Sequence, residues 1–443
     1  MQVSEESSDP SKQPASFHPR YVLMMVFIGF ALNLFDRQII GILLQPIKQE
    51  FHLSDTALGL LSGLAFALFY ATLGIPIARL ADLRSRRLIM TVSMALWSAM
   101  TALGGLAQNA VQLVLSRVGV GVGEAGFTPA AISLLADYYP KSKRILAMSV
   151  VNLGPVAGIM LGLMVGGWAA EALGWRGALL LAGAPGVVFA LLFWCTVREP
   201  LRGRFDGATA SSTHAGRAGA VVPAVPSPWR VPSYRWIVLG ASFFSFGVFG
   251  ASTWLPAMLE RSYGVGPAAA GMMLGPLFGI AGAAGTLFGG WAAQVLARRD
   301  ARWALWLPAL AAMLCVPLVI AAFLSHVLYA TVGLYAVAYG LSFIYMGPVF
   351  ATVQTLVAPH GRATATAWMM FCVNLIGIGL GPQLVGVLSD LFNVAGTAEP
   401  LRYALAAVAV FFVVPAIAFI RSARTLVADA ENTKIRAFDS GPV

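Results

Sequence analysis

Read for hydropathy alone, the chain is a series of long apolar stretches separated by short polar ones. Stretches of spanning length begin near Tyr21, Thr56, Leu88, Val111, Ile145 and Gly177, and again near Tyr234, Ala268, Trp303, Leu328, Ala363 and Tyr403. Each can supply the roughly 20 residues that an α-helix needs to cross a bilayer. A backbone in hydrocarbon must close its hydrogen bonds internally, which leaves helices as the reading for runs of this length. The pattern predicts an all-α polytopic membrane protein with twelve transmembrane helices, arranged as two pseudo-symmetric six-helix bundles. The predicted layout is a cytoplasmic tail (1–20), an amino-terminal bundle (21–197), a cytoplasmic linker (198–233), a carboxyl-terminal bundle (234–421) and a cytoplasmic tail (422–443). The linker is rich in Gly, Ala, Ser, Pro and Arg, a composition suited to a flexible connection. The first twenty residues are polar and lack a basic segment followed by a short apolar stretch, so they do not read as a cleavable signal.

Composition narrows the class. Of 443 residues, 58% are hydrophobic and only 11% charged, against roughly 25% charged in soluble domains. So few charges cannot solvate several soluble domains, and the apolar content excludes disorder. Most of the 46 glycines fall inside the apolar runs, where small residues let membrane helices approach closely. The three cysteines, Cys195, Cys315 and Cys372, each sit in an apolar run, and the five histidines show no metal-ligand spacing. The Gly119, Gly121, Gly123 run lies within an apolar helix rather than after a strand, and no Gly-Lys-Ser/Thr occurs. Neither a cofactor, a metal, ATP-driven chemistry nor an enzyme is expected.

The net charge of +10 is spread over loops. With the amino terminus inside, 23 of the 29 Lys and Arg residues fall on the inner side, so the positive-inside rule places both termini in the cytoplasm. The same distribution speaks against nucleic-acid binding, which needs its cations gathered on one soluble face. The two halves also echo one another. Residues 78–87, after the second span, carry a paired Arg in register with residues 290–299, after the eighth, and Val151-Asn152-Leu153 in span five matches Val373-Asn374-Leu375 in span eleven. A duplicated transporter with its site between the repeats fits this pattern.

Four ionisable residues lie deep in apolar runs: Asp36 and Arg37 in span one, Arg117 and Glu124 in span four. Each costs at least about 2.5 kcal/mol at a helix centre, so they are expected to share one interior and neutralise each other. Arg117 and Glu124 are two helical turns apart on one face, and Asp36 falls at a depth between them. One reading is a structural ion-pair knot. The other is a proton-sensitive quartet in which protonation of Asp36 or Glu124 frees Arg37 or Arg117 for an anionic head group; which carboxylate titrates is left open. The second half reads as free of deep Lys, Arg, Glu and His, with only Asp390 near the outer end of span eleven, and with Tyr335, Tyr339, Ser342 and Asn374 as polar candidates. Tyr335, Tyr339 and Ser342 share a helical face, which suits either packing or an amphipathic ligand's cavity.

These residues carry a resemblance. Residues 78–87, with Asp82, Arg86 and Arg87, resemble the loop between helices two and three of the major facilitator superfamily, although Ala78 and Ser85 stand where glycines are usual. The resemblance implies that Asp82 takes part in an inter-domain latch with basic residues and a helix end, with closure near Gln294 of the second half. Asn33-Leu34-Phe35-Asp36-Arg37, the segment from Arg117 to Ala125 with Pro129, and Asp137-Tyr138-Tyr139-Pro140 are similar to the Spinster lipid transporters within that superfamily. This likeness implies Asp36 and Glu124 as proton-coupling carboxylates, and Arg37 and Arg117, with Asn33, as the substrate side. The expectation is a monomeric secondary active carrier in a bacterial inner membrane. It is expected to use protons to move a lysophospholipid-like or sphingoid-like substrate by alternating access, with membrane lipids as its surroundings. An Asn-x-x-Asp-Arg first helix also occurs in symporters of small organic anions, which is the alternative.

Overall fold

The computed structural model describes residues 19–202, 205, 227–357 and 361–439; the side chains of Asp82, Lys141, Ile145 and residues 432–439 lie outside this description, as do most of the expected linker and the amino-terminal tail. The described residues form helices and no strand. Eleven helices are long and apolar enough to cross a membrane, and one of them is two. Within Ser142–Thr196 the backbone at Gly174 turns to φ 71° and ψ 170°, a conformation glycine adopts without the clash a Cβ brings. The helices are α1 Pro19–Phe51, α2 Asp55–Ala81, α3 Arg86–Gly104, α4 Ala110–Tyr138, α5 (142–173), α6 (175–196), α7 Pro232–Tyr263, α8 Pro267–Ala297, α9 Trp303–Leu324, α10 Leu328–Thr355, α11 Arg362–Val394 and α12 Pro400–Glu431.

Local chemistry sets the ends. Ser54, Ser85 and Asn109 accept hydrogen bonds from backbone N–H groups in the first turns of α2, α3 and α4, satisfying donors that a helix start leaves orphaned. Pro232, Pro267 and Pro400 open α7, α8 and α12, where a missing N–H costs nothing. The connections are short, so neighbouring helices run antiparallel. The face carrying the start of α1 also carries most of the arginines and is called the basic face here; the end of α1 lies on the far face.

Glycines set how close the helices come. On α5, Gly154, Gly158 and Gly162 lie at four-residue intervals against the backbone carbonyls of Phe27, Ala31 and Phe35 of α1. Gly121 of α4 faces the carbonyl of Phe66 on α2, and Gly123 faces the backbone of Trp97 on α3. In the second half Gly285 and Gly289 of α8 seat the carbonyls of Gly340 and Ile344 of α10. A Cβ at any of these positions would meet backbone. The matching tripeptides of spans five and eleven also have a structural counterpart: the helix breaks at Asn152 and widens over Val373–Leu380.

The second half is knit by aromatics and one buried cation. Phe244 stacks on Tyr345 with centroids 5.0 Å apart, and Phe278 on Tyr339 at 4.3 Å. Arg402 is fully buried at the start of α12 and corrects the reading of a second bundle free of buried Lys and Arg. It donates to the carbonyls of Phe323 and Ser325 at the end of α9 and pairs with Glu399 at 2.9 Å. On the basic face of the first half, Arg86 is buried and bonds Asp137 of α4, the Ser133 carbonyl at 3.1 Å and Glu199 at 2.8 Å. Burial pushes the Glu199 carboxyl up. The backbone N–H of Arg87, the Arg86 guanidinium and the Ser85 hydroxyl outweigh it, holding the group below its ordinary value of 4.5.

Two outcomes follow. Arg402→Ala strands the α9 carbonyls and is expected to cost roughly 2 to 4 kcal/mol, read as a lowered midpoint in thermal unfolding of the purified protein. Because the folded pKa of Glu199 is depressed, its stabilisation is complete above 4.5 and is lost as pH falls through the lower folded value. Glu199→Gln should therefore lower the melting temperature at pH 7 by the equivalent of about 1 to 2 kcal/mol and flatten the acid side of the stability profile. An unchanged acid limb would show that the network carries no such linkage.

Candidate functional site

The four deep charges expected to neutralise each other do meet, and they meet crosswise. Asp36 and Arg37 are consecutive on α1, so their side chains leave the helix about 100° apart. Each finds an opposite charge on α4: Arg37 bonds Glu124, and Arg117 lies 3.7 Å from Asp36. The Glu124 side chain is fully buried, and Asp36 and Arg117 are nearly so; Arg37 alone keeps a 15% exposed side chain. The two pairs are unequal. Arg37 and Glu124 are in direct hydrogen-bond contact, whereas neither carboxylate oxygen of Asp36 has a hydrogen-bond partner, and Nε and Nη1 of Arg117 have none either. The buried hydroxyl of Thr101 on α3 lies beside Asp36.

Sequence reasoning missed the aromatic seat beneath the arginines. Phe66 and Tyr70 of α2 stack with centroids 5.3 Å apart, as i, i+4 neighbours can. The Arg37 guanidinium carbon lies 4.7 Å from the Phe66 centroid and 5.0 Å from that of Tyr70, and Arg117 lies 5.8 Å from Phe66. Cation–π attraction offsets part of the desolvation of both cations. The signal in the sequence was the aromatic pair in span two, which is indistinguishable from packing until the arginines are placed beside it.

The other expected residues are distributed as follows. Asn33 is buried one turn before Asp36 and Arg37 on α1. Tyr335, Tyr339 and Ser342 lie inside the second bundle: Tyr335 beside Phe323, Tyr339 on Phe278, and Ser342 3.6 Å from Cys315. Of the two readings of that stripe, packing is the one this geometry favours. Asn374 is half-buried in the widened segment of α11. Arg86 and Arg87 bind the start of α3 to α4 and α6, Arg87 with its guanidinium 4.0 Å over Trp194. Gln294 is exposed and lines a groove of about 630 Å³ between α8, α9, α10 and α12. The Asp82 side chain lies outside the description. Among the described residues, no cluster of His, Cys, Asp and Glu could hold a metal ion.

A second polar cluster, which sequence reasoning did not bring together, joins the halves on the far face. Asp55 at the start of α2 is held by both Nη atoms of Arg261 from α7 at 2.7 and 2.9 Å, by Lys48 at 2.5 Å and by the Ser389 hydroxyl of α11 at 2.6 Å. Beneath it α2 and α11 are in backbone contact: Gly59 meets Pro382 and Gln383, and Gly63 meets Gly379. On the other side of the molecule Gly167 of α5 meets Pro267, and Gly271 of α8 meets the Leu163 carbonyl. The far face is closed.

Comparison with known proteins agrees with this architecture. Residues 26–382 match the Major Facilitator Superfamily. An MFS-type efflux pump of Mycolicibacterium smegmatis is 35% identical over 83% of both chains. The sphingosine-1-phosphate transporter SPNS2 of Xenopus tropicalis is 27% identical over 84% of this chain and 74% of its own. The crystal structure of a bacterial homolog of the human lysosomal transporter Spinster, in an inward-facing and unoccupied conformation, superposes with a TM-score of 0.82 at 30% identity, covering 93% of this chain and 98% of that one. The chain is a multi-pass membrane transporter that belongs to the Major Facilitator Superfamily, with Spinster proteins among its relatives.

Proposed function

We propose that the protein is a proton-coupled secondary transporter that moves an amphipathic anionic or zwitterionic lipid-like substrate by alternating access. The unequal pairing of the four deep charges carries this reading. Glu124 bonds Arg37 directly through one oxygen, whereas Asp36 stands 3.7 Å from Arg117 with no hydrogen bond between them. A buried carboxylate with no hydrogen bond from its paired arginine is the member whose charge is least compensated, so Asp36 is the proton acceptor. A proton on Asp36 leaves Arg117 without its counter-ion. Arg117 then competes for Glu124, two turns along the same face, and loosens Glu124 from Arg37. Arg37 reaches solvent and rests on Phe66 and Tyr70; once loosened, it takes the anionic head group, with Asn33 and Asn374 as polar neighbours. The apolar wall of the second bundle suits the tail.

The remaining assignments rest on the same logic. The basic face is the cytoplasmic face of a bacterial inner membrane, with both termini there, because the arginines gather on it. Asp82 and Gln294 close that face in the alternate state, with Arg86 and Arg87 fixing the start of α3 beside Asp82. The carrier works as a monomer. A small organic anion is the competing substrate class; it calls for cations from both halves around a compact carboxylate, and the second half's buried Arg402 is engaged with α9 carbonyls instead.

The test is transport by purified protein in proteoliposomes under an imposed pH gradient, with lysolipids, sphingoid phosphates and small organic acids first ranked by thermal stabilisation. Asp36→Asn should abolish gradient-driven accumulation while sparing counter-flow exchange of bound substrate. Arg37→Ala should weaken substrate stabilisation by about tenfold or more, the scale of one lost charge-assisted contact. Full gradient-driven uptake by both Asp36→Asn and Glu124→Gln would sink the proton-coupling reading, and stabilisation by organic acids alone would replace the lipid-like substrate.

A further inference from the structure

The far-face contacts have a symmetry that the ion pairs alone conceal. The carboxylate of Asp390, near the end of α11, accepts hydrogen bonds from the backbone N–H groups of Asp55 at 3.0 Å and Thr56 at 2.8 Å. These are orphan donors at the start of α2, so a carboxylate of the second half caps a helix of the first. On the opposite flank, Glu171 near the end of α5 accepts from the backbone N–H of Ala268 at 3.2 Å, in the first turn of α8. Here a carboxylate of the first half caps a helix of the second. Within their own halves α2 and α8 are both the second helix, and α5 and α11 are both the fifth. The two caps are the same device, related by the duplication of the chain.

We propose that Asp390 and Glu171 are paired gating residues: two carboxylate caps, each reaching across to the start of the other half's second helix, that close the far face as one unit. Charge and packing reinforce both. A carboxylate at a helix start gains from the positive end of the helix dipole as well as from its hydrogen bonds. Around the Asp390 cap, Arg261 and Lys48 neutralise Asp55, Arg261 also donates to Gln45 at 2.7 Å, and Gln383 donates to the Thr56 carbonyl at 3.2 Å. Gly386 of α11 lies on the Asp55 backbone, and Gly271 and Gly275 of α8 lie on the Leu163 and Met160 carbonyls of α5. Separation of the halves at this face exposes both helix starts at once, because the two seams flank the same opening. The caps are unequal: Asp390 is half-buried and accepts from two backbone N–H groups, whereas Glu171 is exposed and accepts from one. The α2–α11 cap is therefore the stronger closure.

Backbone hydrogen exchange of the full chain in lipid nanodiscs reads the capped amides directly and needs no substrate. Asp390→Ala is expected to speed exchange over residues 55–64 by about tenfold, and also over residues 267–275 on the other flank, because the gate opens as a unit. Glu171→Ala should do the same on both flanks, more weakly. Gly386→Leu, which wedges the α2–α11 seam without touching a carboxylate, should reproduce the two-flank pattern. Exchange in α9 serves as the folding control; if Asp390→Ala fails it, Asp390→Asn, which keeps the shape and loses the charge, gives the same reading. Faster exchange confined to the mutated cap's own helix, or unchanged exchange on both flanks with α9 protected, would overturn the proposal.

Discussion

A charge in hydrocarbon has no solvent but the protein, and the first half of this transporter is arranged around that constraint. Asp36, Arg37, Arg117 and Glu124 must each find a partner within a few ångströms on another helix. Carboxylate and guanidinium side chains can meet only if α1 and α4 are brought in by helices that pack more closely than ordinary side chains allow. Gly121 against the Phe66 carbonyl, and Gly154, Gly158 and Gly162 against α1, provide that closeness. The same contact of α4 with α2 sets the Phe66 and Tyr70 rings under the guanidinium groups. The glycine run of α4 is thus tied to the charges: a Cβ at Gly121 would push α2 away and remove the aromatic seat.

The second half answers a different demand. Its interior is filled by Phe244, Phe278, Phe323, Tyr335, Tyr339, Tyr345 and Phe412, which have large apolar surfaces and few soft torsions. Among the described residues its one fully buried cation, Arg402, is spent on fixing the end of α9 to the start of α12. A half built around two buried ion pairs therefore packs against a half with a set shape. Relative motion between them needs contacts that can part, and the small-residue seams between α2 and α11 and between α5 and α8 are of that kind.

Much of this was legible in the sequence because the bilayer enforces it. Spans follow from hydropathy, and four charges out of place in spans one and four announce their own pairing. What stayed hidden depends on which helices become neighbours. Phe66 and Tyr70 are two more aromatics until Arg37 lies beside them. Tyr335, Tyr339 and Ser342 share a face, but spacing does not say whether that face meets a cavity or α8 and α9. Arg402 stands at the edge of its span, where an exposed loop arginine and a buried clamp look alike. Asp55, Asp390 and Glu171 also sit at span ends, where an acid's partner cannot be read from the sequence; only the crossing of the chain's two halves shows that two of them meet the start of a helix from the other half.

The strength of that closure bears on how a carrier can work. A charge-assisted hydrogen bond contributes roughly 1.5 to 3 kcal/mol net, and partly exposed ion pairs such as those of Lys48 and Arg261 contribute little more than about 1 kcal/mol each. The caps and their ion pairs thus amount to several kcal/mol. Reversing a two-state preference from 99:1 to 1:99 takes about 5.5 kcal/mol, which is of the same order. A closure much stronger than this would lock the far face, since no binding event or single proton could match it; a much weaker one would leave both faces open together and let the gradient leak. Short carboxylates on helix ends, rather than an extended apolar seal, give a closure of the intermediate strength that alternating access requires, and duplication supplies it on both flanks of the opening.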